Sequence, residues 1–298
     1  MPSIPALFLT LAYGCLLQAQ AISEKPLNGS ATTLLKAELA FAKQSDTENT
    51  RAAFLSVLDE DGVLFRPGPV NGKAWFTPHK ADASNLTWYP AFIEVSRSGD
   101  LGYSTGPYVW RSEAGSKEVP HGHFVSIWGW KDGAWKLLLD TGVAHGAPHG
   151  EIPLFKPQST TRFIKSPSAA GTFKEALAQQ ERAFAQASKK HGLAAAYRHF
   201  ASRDLRFYRN DAFPMTNSRD ALRVLEPYNG AMTWTCLKTR ISKSGDLGYS
   251  YGFAEQAGID PTARPVHPRK NAFLHVWKRA QVGGWKLVLD IESPLPPE

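Results

Sequence analysis

The sequence predicts an α+β protein built as one module written twice, and three observations carry that expectation. The stretch Arg97–Pro107, RSGDLGYSTGP, returns as KSGDLGYSYGF at Lys243–Phe253. The copies stay in step on either side of it. Thr87-Trp88 falls on Thr233-Trp234, Trp135–Asp140 (WKLLLD) on Trp285–Asp290 (WKLVLD), Glu38 and Phe41 on Glu181 and Phe184, and Asp61 and Arg66 on Asp204 and Arg209. Within each copy helical periodicity comes first and strand-like runs follow, the order of helices packed on one face of an antiparallel meander. A repeat of nearly 150 residues exceeds the roughly 20 to 50 of a solenoid unit and is long enough for a domain with its own core.

The elements follow in chain order. Residues 1–21 carry no charge, run apolar from Ile4 through Leu17 and end in Ala19-Gln20-Ala21, the pattern of a secretory signal peptide, so an exported protein, periplasmic or secreted, is expected. After cleavage Cys236 alone would remain and no intramolecular disulfide could form. The first domain is expected over 30–143. Its opening helix places Leu34, Leu35, Glu38, Phe41 and Ala42 at three-to-four spacing, and a second helical segment runs from Thr50 to Leu58. A short β run at Val63–Phe65 precedes long ones at about 86–97, 101–111, 121–130 and 134–141, divided by turn signals such as Ser98-Gly99-Asp100 and Asp132-Gly133. Residues 144–171 hold Pro148, Pro153, Pro157 and Pro167 and read as a linker. The second domain, 172–293, repeats the order with helices around Phe173–Ala185 and Gly192–Phe200 and a short β run at Leu205–Tyr208.

A helix pair, an SGDLGYS-x-G strand, a strand with Phe124 and Trp128 or Phe273 and Trp277, and a closing G-x-W-K-L-x-L-D strand together resemble the SnoaL-like branch of the nuclear-transport-factor-2-like superfamily, which includes ketosteroid isomerase. The likeness is to its secreted domain-of-unknown-function 4440 type, and it covers both modules. The resemblance implies two cone-shaped domains, each a curved sheet wrapped around N-terminal helices with an internal cavity, often dimeric through the sheet. The same cone hosts isomerases, hydrolases, dehydratases and non-catalytic binding subunits, so the fold alone leaves function open.

Candidate site residues come from sheet faces. The Asp132-Gly133 turn pairs Lys131 with Ala134, a register that sets Val125 opposite Asp140 and His123 opposite Gly142. One face then carries Phe124, Ser126, Trp128, Trp130, Trp135, Leu137 and Leu139 as core or cavity wall. The other carries His121, His123, Val125, Ile127, Lys136, Leu138 and Asp140, and a one-residue bulge would exchange the two. Trp88, Tyr103, Trp128, Trp234, Tyr249 and Trp277 are the aromatic residues expected to line a ligand cavity. His275 replaces Ser126 in the second aromatic wall, where an imidazole is either a general acid or base or a satisfied core residue. His121, His123 and His145, with His149 nearby, have the spacing of a metal set, but the second copy has Lys270 and Ala272 at the first two places. The matches of Ser104 and Ser250 to G-x-S-x-G lack the helix that a nucleophile elbow requires and read as small residues in a curved strand. No buried pair of acids stands out, so ketosteroid-isomerase chemistry is not assigned to any residue.

The formal charge of +7 is scattered and predicts no nucleic-acid partner, and no later stretch is apolar enough for a membrane span. No cofactor is expected. The leading reading is a tandem cone protein that binds a small hydrophobic or aromatic molecule. An acid-base isomerase, hydrolase or dehydratase is one alternative, and a structural pair packed sheet to sheet as an intramolecular pseudo-dimer is the other.

Overall fold

The computed structural model describes residues 28–81, 84–112, 120–148, 150–157, 170–227, 231–257, 269–279 and 284–296. The expected leader at 1–21, His149, and the 158–169 part of the expected linker lie outside them.

Helix α1 (Ala31–Thr47) starts at a capping box in which Ser30 and Thr33 each accept from the other's backbone N–H, and α2 (Thr50–Val57) starts on Asn49, whose side chain accepts from Ala52 N. The strands are β1 (Leu58–Phe65), β2 (Pro69–Asn71), β3 (Asn85–Trp88), β4 (Phe92–Val95), β5 (Leu101–Arg111), β6 (His121–Lys131) and β7 (Ala134–His145), with the one-turn helix α3 (Gly72–Phe76) after β2. They form one sheet in the order β2-β1-β7-β6-β5-β3, with β4 also on β5. All pairings are antiparallel except β1 with β7, a parallel contact that closes the sheet beside the helices. The long run expected at 86–97 is divided by Tyr89-Pro90-Ala91, where proline has no N–H to give the ladder.

The second module repeats the plan. Helices α4 (Ala170–His191) and α5 (Leu193–Phe200) meet at Gly192, whose φ of 87° turns the chain, and β8 (Ala201–Arg209) follows. Helix α6 (Ser218–Leu225) has no counterpart in the sequence expectation. Strands β9 (Ala231–Ile241), β10 (Leu247–Ala257), β11 (Arg269–Arg279) and β12 (Trp285–Pro294) join β8 in the order β8-β12-β11-β10-β9, again with the first strand parallel to the last.

A bulge corrects the register expected from the turn. Trp128 pairs with Leu137 but Ile127 pairs with Leu139, so Leu138 is the extra residue and Ser126, not Val125, faces Asp140. His123 accordingly faces Val143 rather than Gly142. Val288 is the same extra residue in the second module, and it sets His275 opposite Asp290. The aspartates thereby turn from the outer face to the helix side, while Leu139 and Leu289 turn outward.

Three apolar cores result. One lies under α1 and α2 and contains Leu34, Phe41, Phe54, Leu64, Trp128 and Leu137, and its counterpart contains Leu177, Phe184, Tyr197, Phe207, Trp277 and Leu287. The third joins both modules and takes Val125, Ile127, Leu139 and Val143 from the first sheet and Tyr249, Leu274, Val276 and Ile291 from the second. Its rim is polar: Arg206 lies 3.7 Å from the Phe92 ring centre, Lys278 pairs with Glu94, and Ser293 Oγ donates to Gly142 O at 3.0 Å. The two repeated Ser-Gly-Asp turns also clasp each other. Arg97 N donates to Asp246 at 3.1 Å, Lys243 N donates to Asp100 at 3.1 Å, and the Ser98 and Ser244 hydroxyls lie 2.8 Å apart.

Candidate functional site

Each cone is organised around a glutamate on an otherwise apolar helix face. Glu38 is wholly buried: Trp88 Nε1 donates to its Oε1 at 2.7 Å, and Trp128 Nε1 at 3.0 Å and Ser104 Oγ donate to its Oε2. Burial pushes its carboxyl up to about 7, with the hydrogen bonds from Ser104 and Trp88 pulling the other way. Glu181 takes Ser250 Oγ at 2.6 Å, Trp277 Nε1 at 2.7 Å and His275 Nδ1 at 2.7 Å. The histidine has taken the place that Trp88 holds in the first module, and among the described residues the buried Trp234 Nε1 has no hydrogen-bond partner. Ser104 and Ser250 therefore tie helix to sheet and are donors to carboxylates.

The second cone carries a buried charged network. Arg209 donates to both oxygens of Asp290 at 3.1 and 2.9 Å and to Glu292 at 3.2 Å, and Tyr197 OH also donates to Asp290. His275 is fully buried between Glu181 and Asp290, with Nε2 3.7 Å from Asp290 Oδ1. Burial opposes a charge on the imidazole, but Glu181, Asp290 and Glu292 outweigh it and raise its pKa. Burial would likewise raise Asp290, yet Arg209 and His275 hold it below the usual carboxylate range.

The first cone is hollow. A cavity of about 460 Å³ is lined by Phe41, Phe54, Trp75, Phe76, Trp88, Trp110 and Phe124 among its apolar residues, and by Arg51, Arg66, His79, Lys80, Tyr108 and Asp140 among its polar ones. Ser126 Oγ donates to Asp140 at 2.8 Å, and burial pushes the Asp140 carboxyl up to about 6 while Arg66 and Ser126 draw it back. The Tyr108 phenol is raised by burial, with Arg66 lowering and Asp140 adding to the shift, so these three groups act on one another inside the cavity. An aromatic pocket with a few convergent polar groups and a displaced carboxyl has the makings of a small-molecule site.

The residues singled out in the sequence separate into different places. Trp88 lines the cavity and Trp128 lies behind it on Glu38, while Trp234 and Trp277 occupy the matching positions of the second cone. Tyr103 and Tyr249 belong to the core between the sheets, and Tyr103 OH donates to Glu94. His275 sits in the second cone's ion network. His123 Nδ1 and His145 Nε2 are 2.7 Å apart, and His145 Nδ1 is 2.6 Å from Gly146 O, so both ring nitrogens of His145 are hydrogen-bonded. Desolvation, His145 and Arg206 depress His123 to about 3. His121 is half-buried at the start of β6, and among the described residues no three His, Cys, Asp or Glu side chains are grouped to hold a metal ion.

The expectation that no acids are paired in the interior is overturned by Glu38 with Asp140 and by Glu181 with Asp290 and Glu292. A charge at the centre of an apolar helix stripe, four residues after Leu34 and three before Phe41, was the available signal for Glu38. The aspartates were hidden by the bulge.

No family model matches the chain, and no curated protein matches it in sequence. Among solved structures it is similar to a ketosteroid isomerase-like protein from Erwinia carotovora atroseptica SCRI1043, at 12% identity and TM-score 0.37, over 42% of this chain and 97% of that one. It is also similar to an NTF-2 like protein of unknown function from Shewanella oneidensis MR-1, at 11% identity and TM-score 0.33, over 40% and 96%. A third is an uncharacterized protein with a cystatin-like fold from Caulobacter vibrioides, at 10% identity and TM-score 0.36, over 43% and 92%. The architecture described above places helices first, pairs the first strand of each sheet parallel to the last, and repeats the whole plan in the second module.

Proposed function

We propose that the chain is an exported protein that binds a small, largely aromatic molecule in the cone of its first module, with the second module as a filled structural partner. The observation that carries the reading is the contrast between the cones: an aromatic cavity of about 460 Å³ in one, and the Arg209, Asp290 and Glu292 network at the matching place in the other. The two modules then form an intramolecular pseudo-dimer through their sheets, which the shared apolar core supports. Domain limits near 30–143 and 172–293 go with this reading.

Ligand binding is tested by thermal shift and tryptophan quenching against a panel of aromatic acids, phenols, steroids and terpenoids. A ligand at a hundred times its Kd adds about 2.7 kcal/mol if it binds the folded state only. The variant Leu86→Trp, which puts an indole on the cavity wall, should lose the response. Equal binding by that variant, or silence across the panel, would remove the reading. One observation favours turnover as a second reading: Asp140 lines the cavity with its carboxyl near 6, within range of proton transfer at neutral pH. In that case Asp140→Asn would bind ligand but not convert it.

A further inference from the structure

The second module shows what the arginine of the first is built to hold. Arg66 and Arg209 occupy the same place: Leu64 pairs with Asp140 as Phe207 pairs with Asp290, and each guanidinium donates to the carbonyl of the residue before it, at 2.8 Å in both cases. Beyond that bond they differ. Arg209 faces its Cα partner Glu292 and is closed by two carboxylates. The residue matching Glu292, two after the strand aspartate, is Gly142, which lines the cavity together with Arg66. Among the described residues Arg66 forms no ion pair, and its guanidinium lies 6.0 and 5.8 Å from the Phe54 and Trp75 ring centres. Tyr108 stands where the second module has Ala254, and a Cβ on Gly142 would come within 3.3 Å of its ring, so the phenol takes up part of the room that a glutamate would need. It brings no negative charge. Among the described residues that line the cavity, Asp140 is the one acid, against Arg51, Arg66 and Lys80.

Resting on the small-molecule reading above, we infer that the ligand is an aromatic carboxylate that supplies Arg66 with the charge Glu292 gives Arg209, its ring lying among Phe54, Trp75 and Trp88. An Arg-carboxylate pair inside a largely apolar wall gains from charge-assisted hydrogen bonds that an amide of equal shape cannot match.

The test uses matched pairs on the full chain: 2-naphthoate with 2-naphthamide, and cinnamate with cinnamamide, titrated by tryptophan quenching. The carboxylates should bind the wild-type protein at least tenfold more tightly than their amides. Arg66→Gln should remove that preference, bringing acid and amide to equal affinity, and Arg66→Lys should keep part of it. If acid and amide bind the wild type equally, the anion inference fails and the cavity reading survives. A preference that persists in Arg66→Gln also overturns the inference. If no member of either pair binds, nor any member of the wider panel, both fall together. Should Arg66→Gln not fold, the wild-type comparison still decides the ligand class, and Arg66→Lys decides the residue.

Discussion

Replacing Glu38 by glutamine should exchange the order of stability between variant and wild type as pH rises. A carboxyl whose pKa is about 7 in the fold and 4.5 outside it is neutral where it is most comfortable. Its contribution is fully present below pH 4.5 and is lost as the pH climbs through 7, a loss of about 3 kcal/mol. Glutamine does not titrate, but its amide nitrogen must face one of three donors, Trp88, Trp128 or Ser104, and leaving that donor unpaired costs about 1 to 2 kcal/mol. At pH 4 the variant is therefore expected to be less stable than wild type by about 1 to 2 kcal/mol. At pH 9 the wild type bears the ionisation cost, and the variant should be the more stable by a similar margin. Urea unfolding at the two pH values, followed by far-UV circular dichroism and tryptophan emission, measures the difference, and titrating groups other than Asp140, which interacts with Glu38, cancel between the two proteins. A variant that is less stable by the same amount at both pH values would show that Glu38 keeps one protonation state, and the argument from its burial would be wrong.

Three more expectations share the same reasoning. In Gly106→Ala and Gly252→Ala the new Cβ would lie 2.0 Å from the backbone oxygens of Tyr89 and Thr235, and each should lower stability by about 3 kcal/mol or more, whereas Gly146→Ala, in open space, should be within about 0.5 kcal/mol of wild type by thermal melting. His275→Ser takes a cation from between Glu181 and Asp290 and should cost about 3 kcal/mol or more. Because the histidine's pKa is raised in the fold, that gap should be widest below about pH 6.5 and shrink as pH passes the folded value, and a Tm gap that stays flat or grows with pH would contradict it. Asp100→Ala with Asp246→Ala opens the clasp between the modules, and amide exchange at Arg97 and Lys243 should quicken while exchange in α1 and α4 does not.

The two-module plan was legible because the repeat and the helix and strand periods agree in both copies. What periodicity conceals is any break in its own count. Leu138 and Val288 each add one residue to a strand, and a period-two reading carried across them placed Asp140 and Asp290 on the wrong face. The most conspicuous motif turned out to report packing. Within SGDLGYSxG, Asp100 and Ser98 clasp the other module, Gly102 lets Leu34 approach to within 2.9 Å of a notional Cβ, Tyr103 fills the core between sheets, Ser104 holds Glu38, and Gly106 admits the Tyr89 carbonyl. The cavity left a fainter trace, in positions where the copies differ: Phe54 against Tyr197, Ser126 against His275, and Gly142 against Glu292. Those differences acquire meaning once the register is known.

Joining the modules in one chain has a consequence for how the cones can change. In an assembly of two identical subunits every substitution is made twice, so a cone that is emptied to admit a ligand is emptied on both sides of the interface. Here the halves are free to specialise. The second can keep its interior tied by Arg209 and act as a firm backing, while the first gives up a glutamate at Gly142 and accepts the loss of cohesion that a hollow interior brings. Covalent fusion thus releases the pair from symmetry, and the shared core between the sheets lets rigidity in one half support vacancy in the other.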